Sequence, residues 1–543
     1  MPINRLRPGM RGYTLTVLKG MKPARLPIEV VSVIPRNGSI KNAVLIRMLP
    51  SSENTGAGFA QGMSGSPVYL DGKLVGAIGM GWNFSDHKTA LVTPIGEMCE
   101  VFSRPDKPVT LKGPDGGITG LSRKSPPLMV GGLSKRTVSR LGKTIGIPVE
   151  SVPWGAAGDL PVEGGRFSPG DAIEVLLAWG DVEMAAAGTV TATSGDGRFL
   201  AFGHAFMGRG AVNFPVARAR IHDTVSSQLS PFKLASPTAL VGTATQDREA
   251  GVGGRMGYFT PAIAATLKFR DMDAGGGTQS VKNFRLAPDE ALGARLLEAI
   301  YGGLVDDQWG RKGQGTAMVT LRVEGRGLPD GWTRTNVFFS DDDVSSVALR
   351  ESAAIMDVFL RQPFVEVYPL GFMLDVSATQ EPKLLMIEDV VVSSNAKPGE
   401  TLNVEVTLRP WRRAPIKRYF KITVPKDVTG VCELIVRGGG TNPLVQLAID
   451  GGWKTIDGFD RLLTELSAVD ANNELIIELL HDSMKNRTPQ DGKKFVAELI
   501  PEEKEFLSET KTRRIREGTL RISRSEYVVD GLMKRLINVG DEE

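Results

Sequence analysis

Residues 61–67 read Gln61-Gly62-Met63-Ser64-Gly65-Ser66-Pro67. A serine framed by glycines lets the backbone turn sharply, exposing the hydroxyl and aiming neighbouring amides at one point. Two converging N–H donors, here those of Gly62 and Ser64, are what a developing oxyanion needs. A serine hydroxyl attacks poorly unless a base takes its proton. Four histidines could do so: His87, His204, His222 and His481. His204 is the best placed, because it closes a strand-like run, Arg198-Phe199-Leu200-Ala201-Phe202-Gly203-His204, where it would face a cleft. His87, in Ser85-Asp86-His87-Lys88, reads as solvated. His222 belongs to a strand or helix of the same region as His204, and His481 reads as a surface residue of the tail. The chemistry implied is acyl transfer, with Ser64 as nucleophile and His204 as base.

The acid that would orient His204 is open. Asp247, in Thr243-Ala244-Thr245-Gln246-Asp247-Arg248, falls in the same module as His204. Glu53 is the one carboxylate just upstream of the serine turn. A backbone carbonyl, or no third member at all, would also serve at some cost in rate.

Several elements must position these groups. Pro8-Gly9, Pro169-Gly170 and Pro398-Gly399 each precede a β-patterned stretch, respectively Tyr13–Val17, Ile173–Leu176 and Leu402–Val406. Proline presets one turn dihedral and glycine supplies the positive one, so each pair marks the start of a β module. Val68-Tyr69-Leu70 and Leu74–Ile78, joined by Asp71-Gly72-Lys73, form a hairpin directly after the serine turn. The division that follows is a β-barrel module over 1–112 carrying Ser64, a linker over 113–165, and a β-barrel module over 166–275 carrying His204. After these come an α/β segment over 276–384, an immunoglobulin-like sandwich over 385–445 and a mixed region over 446–543. Helices are expected at 287–305, 345–361 and 459–467.

Composition narrows the function. The net charge of +3, from 65 basic and 62 acidic residues, offers no field to hold nucleic acid. The two cysteines, Cys99 and Cys432, lie far apart, so neither a disulfide framework nor a cysteine metal site is expected. The histidines form no zinc-binding pattern, and neither metal nor cofactor is expected. No apolar run is long enough for a membrane span, and Met1–Met10 is too polar for a signal peptide. Nothing in the sequence sets an oligomeric state.

The serine segment resembles the Gly-Asp-Ser-Gly-Gly-Pro signature of trypsin-like peptidases, with Ser66 in the second glycine's place. More closely, Gly62-Met63-Ser64-Gly65-Ser66-Pro67 with Asp71–Ala77, and Gly188-Thr189-Val190 with Ala201-Phe202-Gly203-His204, resemble the SpoIVB-type sporulation serine peptidases over about residues 6–270. The resemblance implies a mainly β fold with two trypsin-like barrel modules, and Ser64 and His204 as nucleophile and base. It also implies a protein or peptide substrate, possibly the chain itself, and an extracytoplasmic setting. Two departures stand out. The family places its histidine segment before its serine segment, whereas here Ser64 comes first. The family also has an aspartate upstream of its serine that is absent here, while in trypsin-like peptidases an aspartate follows the histidine within one barrel, as Asp247 does. A non-catalytic scaffold that keeps the peptidase fold, serving in binding or envelope structure, is the competing expectation.

Overall fold

The computed structural model describes residues 1–53, 58–106, 128–146, 148–152, 158–227, 229–274, 277, 279–368, 370–441, 458–481 and 518–540. The fold is mainly β and divides into two compact units, Met1–Ala265 with Asn283–Ile300, and Thr266–Lys282 with Tyr301–Glu543.

The first unit opens with a closed six-stranded barrel built from β1 (Arg11–Val17), β2 (Pro23–Pro35), β3 (Asn42–Met48), β4 (Pro67–Leu70), β5 (Lys73–Met80) and β6 (Thr89–Pro94), in the order β1-β2-β3-β6-β5-β4. Strand periodicity explains its interior. Leu26, Ile28 and Val30 point inward on β2 and meet Ile46, Val68 and Val75. Each such side chain contributes roughly 1.5–3 kcal/mol by leaving water. The β4–β5 hairpin turns on Asp71 (φ 47°) and Gly72 (φ 70°), the two positive dihedrals that match the twist of its strands.

The remaining strands of this unit include β7 (Leu128–Gly131), β8 (Val149–Ser151), β9 (Ala172–Gly180), β10 (Glu183–Thr193), β11 (Arg198–Ala201), β12 (Gly210–Val225), β13 (Phe232–Arg248) and β14 (Gly251–Met256). Because β9 pairs with both β10 and β12, the path β9-β12-β13-β14-β11-β10 returns on itself as a second six-stranded ring. Part of the stretch expected as a linker is ordered structure. There β7 pairs with β10 and, in parallel, with β8. A helix over Lys135–Ile145 joins β7 to β8, its first turn capped by Ser134, which accepts from the Thr137 amide, and its end closed by Gly146. Residues 107–127, 147 and 153–157 of that region lie outside the described residues.

All three Pro-Gly turns are present, with Gly9, Gly170 and Gly399 at φ 85°, 94° and 85°. Their amides donate to Val30, Val190 and Val424 across the strand each turn opens.

In the second unit, Gly315–Gly325 pairs with both Leu328–Ser340 and Gly371–Thr379. The helix Val344–Arg361 is capped by Asp343. Beyond it a four-stranded and a five-stranded sheet share one core, in which Leu402, Val404 and Val406 meet Leu434, Ile477 and Ile537. These sheets take strands from both sides of residue 445, among them Glu474–His481 and Leu532–Val539. Among the described residues, no helix is long and apolar enough to cross a membrane.

Candidate active site

The serine turn joins the two rings of the first unit. Gln61 is bonded on both sides to β13 and the residues before it, its amide donating to Pro231 at 2.7 Å and its carbonyl accepting from Lys233 at 2.9 Å. The Met63 amide donates to Ala60 and the Ser66 amide to Met63, both at 3.0 Å. The Gly65 amide reaches the Ile78 carbonyl on β5 at 2.7 Å. From β10, the Thr189 amide donates to the Ser64 carbonyl at 2.8 Å and its hydroxyl to the Gly62 carbonyl at 3.0 Å, while the Thr191 hydroxyl donates to Gly65 at 2.7 Å.

These bonds have a consequence for the amides. A peptide group is planar and trans, so fixing its carbonyl fixes the direction of its N–H. The Gln61 carbonyl is held by Lys233 and the Met63 carbonyl by Ser66. The amides opposite them, Gly62 N–H and Ser64 N–H, donate to no acceptor among the described residues. The Ser64 hydroxyl, only 1% exposed, likewise has no partner there.

Glycine is required where the turn meets the second ring. Gly65 sits at φ 92°, and a Cβ there would lie 1.9 Å from the Thr189 carbonyl and 2.4 Å from the Phe202 amide. The histidine segment approaches the same point. A Cβ on Gly203 would lie 2.8 Å from the Ile78 carbonyl, the very oxygen that accepts from Gly65. The Thr93 hydroxyl adds a bond to the Gly203 carbonyl at 2.5 Å. Neighbours of Ser64 and of His204 therefore converge on one residue of β5.

His204 is not a continuation of its strand. Strand β11 ends at Ala201, and Phe202 (φ 68°) and Gly203 (φ 64°) turn the chain before the histidine. Its Nδ1 lies 2.7 Å from the Ala205 carbonyl, and the ring is 2% exposed. A carbonyl only accepts, so Nδ1 carries the proton and Nε2 holds the basic lone pair.

Asp247 lies on β13, buried, and binds the backbone that follows the histidine. Its Oδ1 accepts from Phe206 at 2.7 Å, and its Oδ2 from Met207 at 2.8 Å and Arg209 at 3.1 Å. Burial pushes this carboxyl up, opposed by the amides of Arg209, Met207, Phe206 and Gly208. One peptide group thus stands between acid and imidazole, with the Ala205 carbonyl on His204 and the Phe206 N–H on Asp247.

Glu53 is exposed, and its amide donates to the Ser51 hydroxyl. His87 is buried, not solvated. Its carbonyl accepts from Phe59 at 2.7 Å, beside the serine turn. His222 lies on β12 with Nε2 at 2.8 Å from the Ser236 hydroxyl, and His481 ends a strand of the second unit.

Residues 6–86 match the SpoIVB peptidase S55 family. The S55 match covers β1 to β5 and the serine turn, and it ends before His204 and Asp247. No curated protein and no solved structure matches the chain. The resemblance read from Gly62–Pro67 and its hairpin is thereby matched by the family over the segment that carries Ser64.

Sequence reading counted Thr189 only within the family-like run Gly188-Thr189-Val190 and gave no role to Thr191 or Lys233, yet all three bond to the serine turn. The signal lay in phase. Lys233 shares the inward phase of β13 with Ala235 and Val241, a position where a lysine is out of place.

Proposed function

We propose that this chain is a serine endopeptidase of the SpoIVB type, cleaving a protein or peptide through an acyl-enzyme on Ser64. The observation that carries the reading is the serine turn itself, with the Gly62 and Ser64 amides held and, among the described residues, without acceptors beside the segment bearing His204.

In this reading His204 serves first as base and then as acid. His204 Nε2 takes the Ser64 hydroxyl proton as Oγ bonds to the substrate carbonyl carbon. The oxyanion is received by the Gly62 and Ser64 amides. The imidazolium is stabilised at Nδ1 by the Ala205 carbonyl, whose peptide dipole is aligned by the Asp247 carboxylate on its N–H. Asp247 here is a positioning residue, acting on the histidine through one peptide group. His204 then protonates the leaving amine, the carbon–nitrogen bond breaks, and water activated by the same nitrogen releases the acyl group from Ser64. The chain order of nucleophile and base is immaterial to such a site, because the same constellation can be assembled from segments in any order. The family likeness supports an extracytoplasmic setting.

A second reading has its own observation. Ser64 and His204 are both almost fully buried, as they would be in a catalytically silent scaffold. Incubation with an unfolded protein substrate separates the two. An active peptidase cleaves it, and Ser64→Ala and His204→Ala each lower the rate by at least about a thousandfold. Equal background rates for all three proteins favour the scaffold.

A further inference from the structure

Lys233 has no part in the chemistry described above, yet its side chain lies fully buried beneath the serine turn. Its Cβ, Cγ and Cδ lie 3.1–3.3 Å from the point where a side chain on Gly62 would begin. The stem therefore fills the space that the glycine leaves open. Its Nζ is 2.7 Å from the Thr16 hydroxyl on β1 and makes a longer 3.5 Å contact with the Thr189 hydroxyl on β10. Thr189 spends its own hydroxyl proton on the Gly62 carbonyl, so its lone pairs remain for the amine. No carboxylate forms an ion pair with Lys233 among the described residues.

A lysine without an acid is costly to bury, and burial lowers its pKa to about 7. A methionine would fill the same volume without that cost. The amine is the group that the site retains, and its two hydroxyl contacts lead to opposite rings.

We propose that Lys233 is a positioning residue for the serine turn, its amine tying Thr16 of the first ring to Thr189 of the second and so holding Gly62 and Ser64 in register. Its effect on catalysis rests on the reading of Ser64 as nucleophile, whereas its effect on the turn does not.

The test uses the full-length protein and three variants, Lys233→Met, Thr189→Val and Thr16→Val. Hydrogen exchange at the Met63, Gly65 and Ser66 amides reports the turn, and exchange over residues 42–48 of β3 is the control. The expected result is acceleration by about tenfold or more at the turn in Lys233→Met and Thr189→Val, with β3 unchanged. The double variant should exceed neither single variant appreciably, because both interrupt one chain of contacts. In the same samples, inactivation by a fluorophosphonate should show a maximal rate about tenfold lower in Lys233→Met, with the half-saturating concentration changed by less than about twofold. Accelerated exchange with an unreactive wild type upholds the positioning role and removes the peptidase reading. Unchanged exchange at the turn in folded Lys233→Met and Thr16→Val overturns the positioning role, whatever Thr189→Val or the reactivity shows. Should Lys233→Met fail to fold, Thr16→Val, which removes the amine's 2.7 Å partner and leaves the Thr189–Gly62 bond in place, decides the question by the same exchange criterion.

Discussion

The two rings of the first unit differ in what they bury. Among the described residues, the six strands of the first barrel hide no aspartate, glutamate, lysine or arginine. The second ring hides Glu174, Glu183, Lys233 and Asp247. The first ring supplies a platform for the serine turn whose strands bury hydroxyls but no carboxylate, lysine or arginine. From the second, Asp247 holds the peptide groups after His204 and Lys233 lies against the turn. The difference teaches that the buried ionisable groups have been assigned to one of the two rings.

The largest effect should come where the two rings touch. Gly65→Val places carbon into the Thr189 carbonyl and forces a β-branched residue into a positive φ. It should cost on the order of 4 kcal/mol or prevent folding, as read by thermal unfolding. A variant as stable as wild type would show that the rings do not meet as described.

Asp247→Asn comes next. The new amide keeps the shape but sets its own N–H groups against backbone donors, and unsatisfied buried amides cost about 1–3 kcal/mol each. Unfolding should report about 3 kcal/mol of lost stability. Fluorophosphonate labelling should fall by about tenfold or more. Undiminished labelling would remove Asp247 from the account of His204.

The pH dependence of stability should belong to the second ring. Burial raises the carboxyl of Glu174, and likewise that of Glu183 to about 7. A carboxyl kept protonated by the fold stabilises it fully below the unfolded value of 4.5, and this contribution disappears as pH rises through about 7. For Glu183 the loss is about 3 kcal/mol. Lys233 behaves oppositely. Its pKa falls from 10.5 to about 7, so the unfolded chain takes up a proton that the fold refuses, and stability rises across that interval. Denaturant unfolding against pH should therefore dip near neutrality. Glu183→Gln should flatten the acid side and Lys233→Met the alkaline side. A profile unmoved by either variant would break the comparison.

The smallest effect sharpens it. Ile46→Val trims the first ring's core and should cost about 1 kcal/mol by the same unfolding, at every pH from 4.5 to 10.

Much of this was legible because it is local. The Pro-Gly turns, the Asp71-Gly72 hairpin and the helix at Phe459–Ser467 each depend on a few adjacent residues, and each lies where its residues indicate. The candidate site reads as a pair of segments, Gly62–Pro67 and Gly203-His204, whose neighbours meet at Ile78. What holds the segments was hidden, because it is not local. Thr189 finds Gly62 and Lys233 finds Thr16 only after distant strands pair. Nor did the strand run through Phe202 show that this residue would take a positive φ and turn His204 toward Ala205. The sheets beyond residue 384 likewise draw on strands separated by long stretches of chain, which no short pattern announces.

The most direct test of the central claim is exposure of the folded protein to a fluorophosphonate, followed by peptide mapping, in wild type, Ser64→Ala and His204→Ala. The account predicts a single adduct on Ser64 that is lost in both variants. A well-folded wild type that takes up no probe, or takes it up equally in His204→Ala, would contradict it.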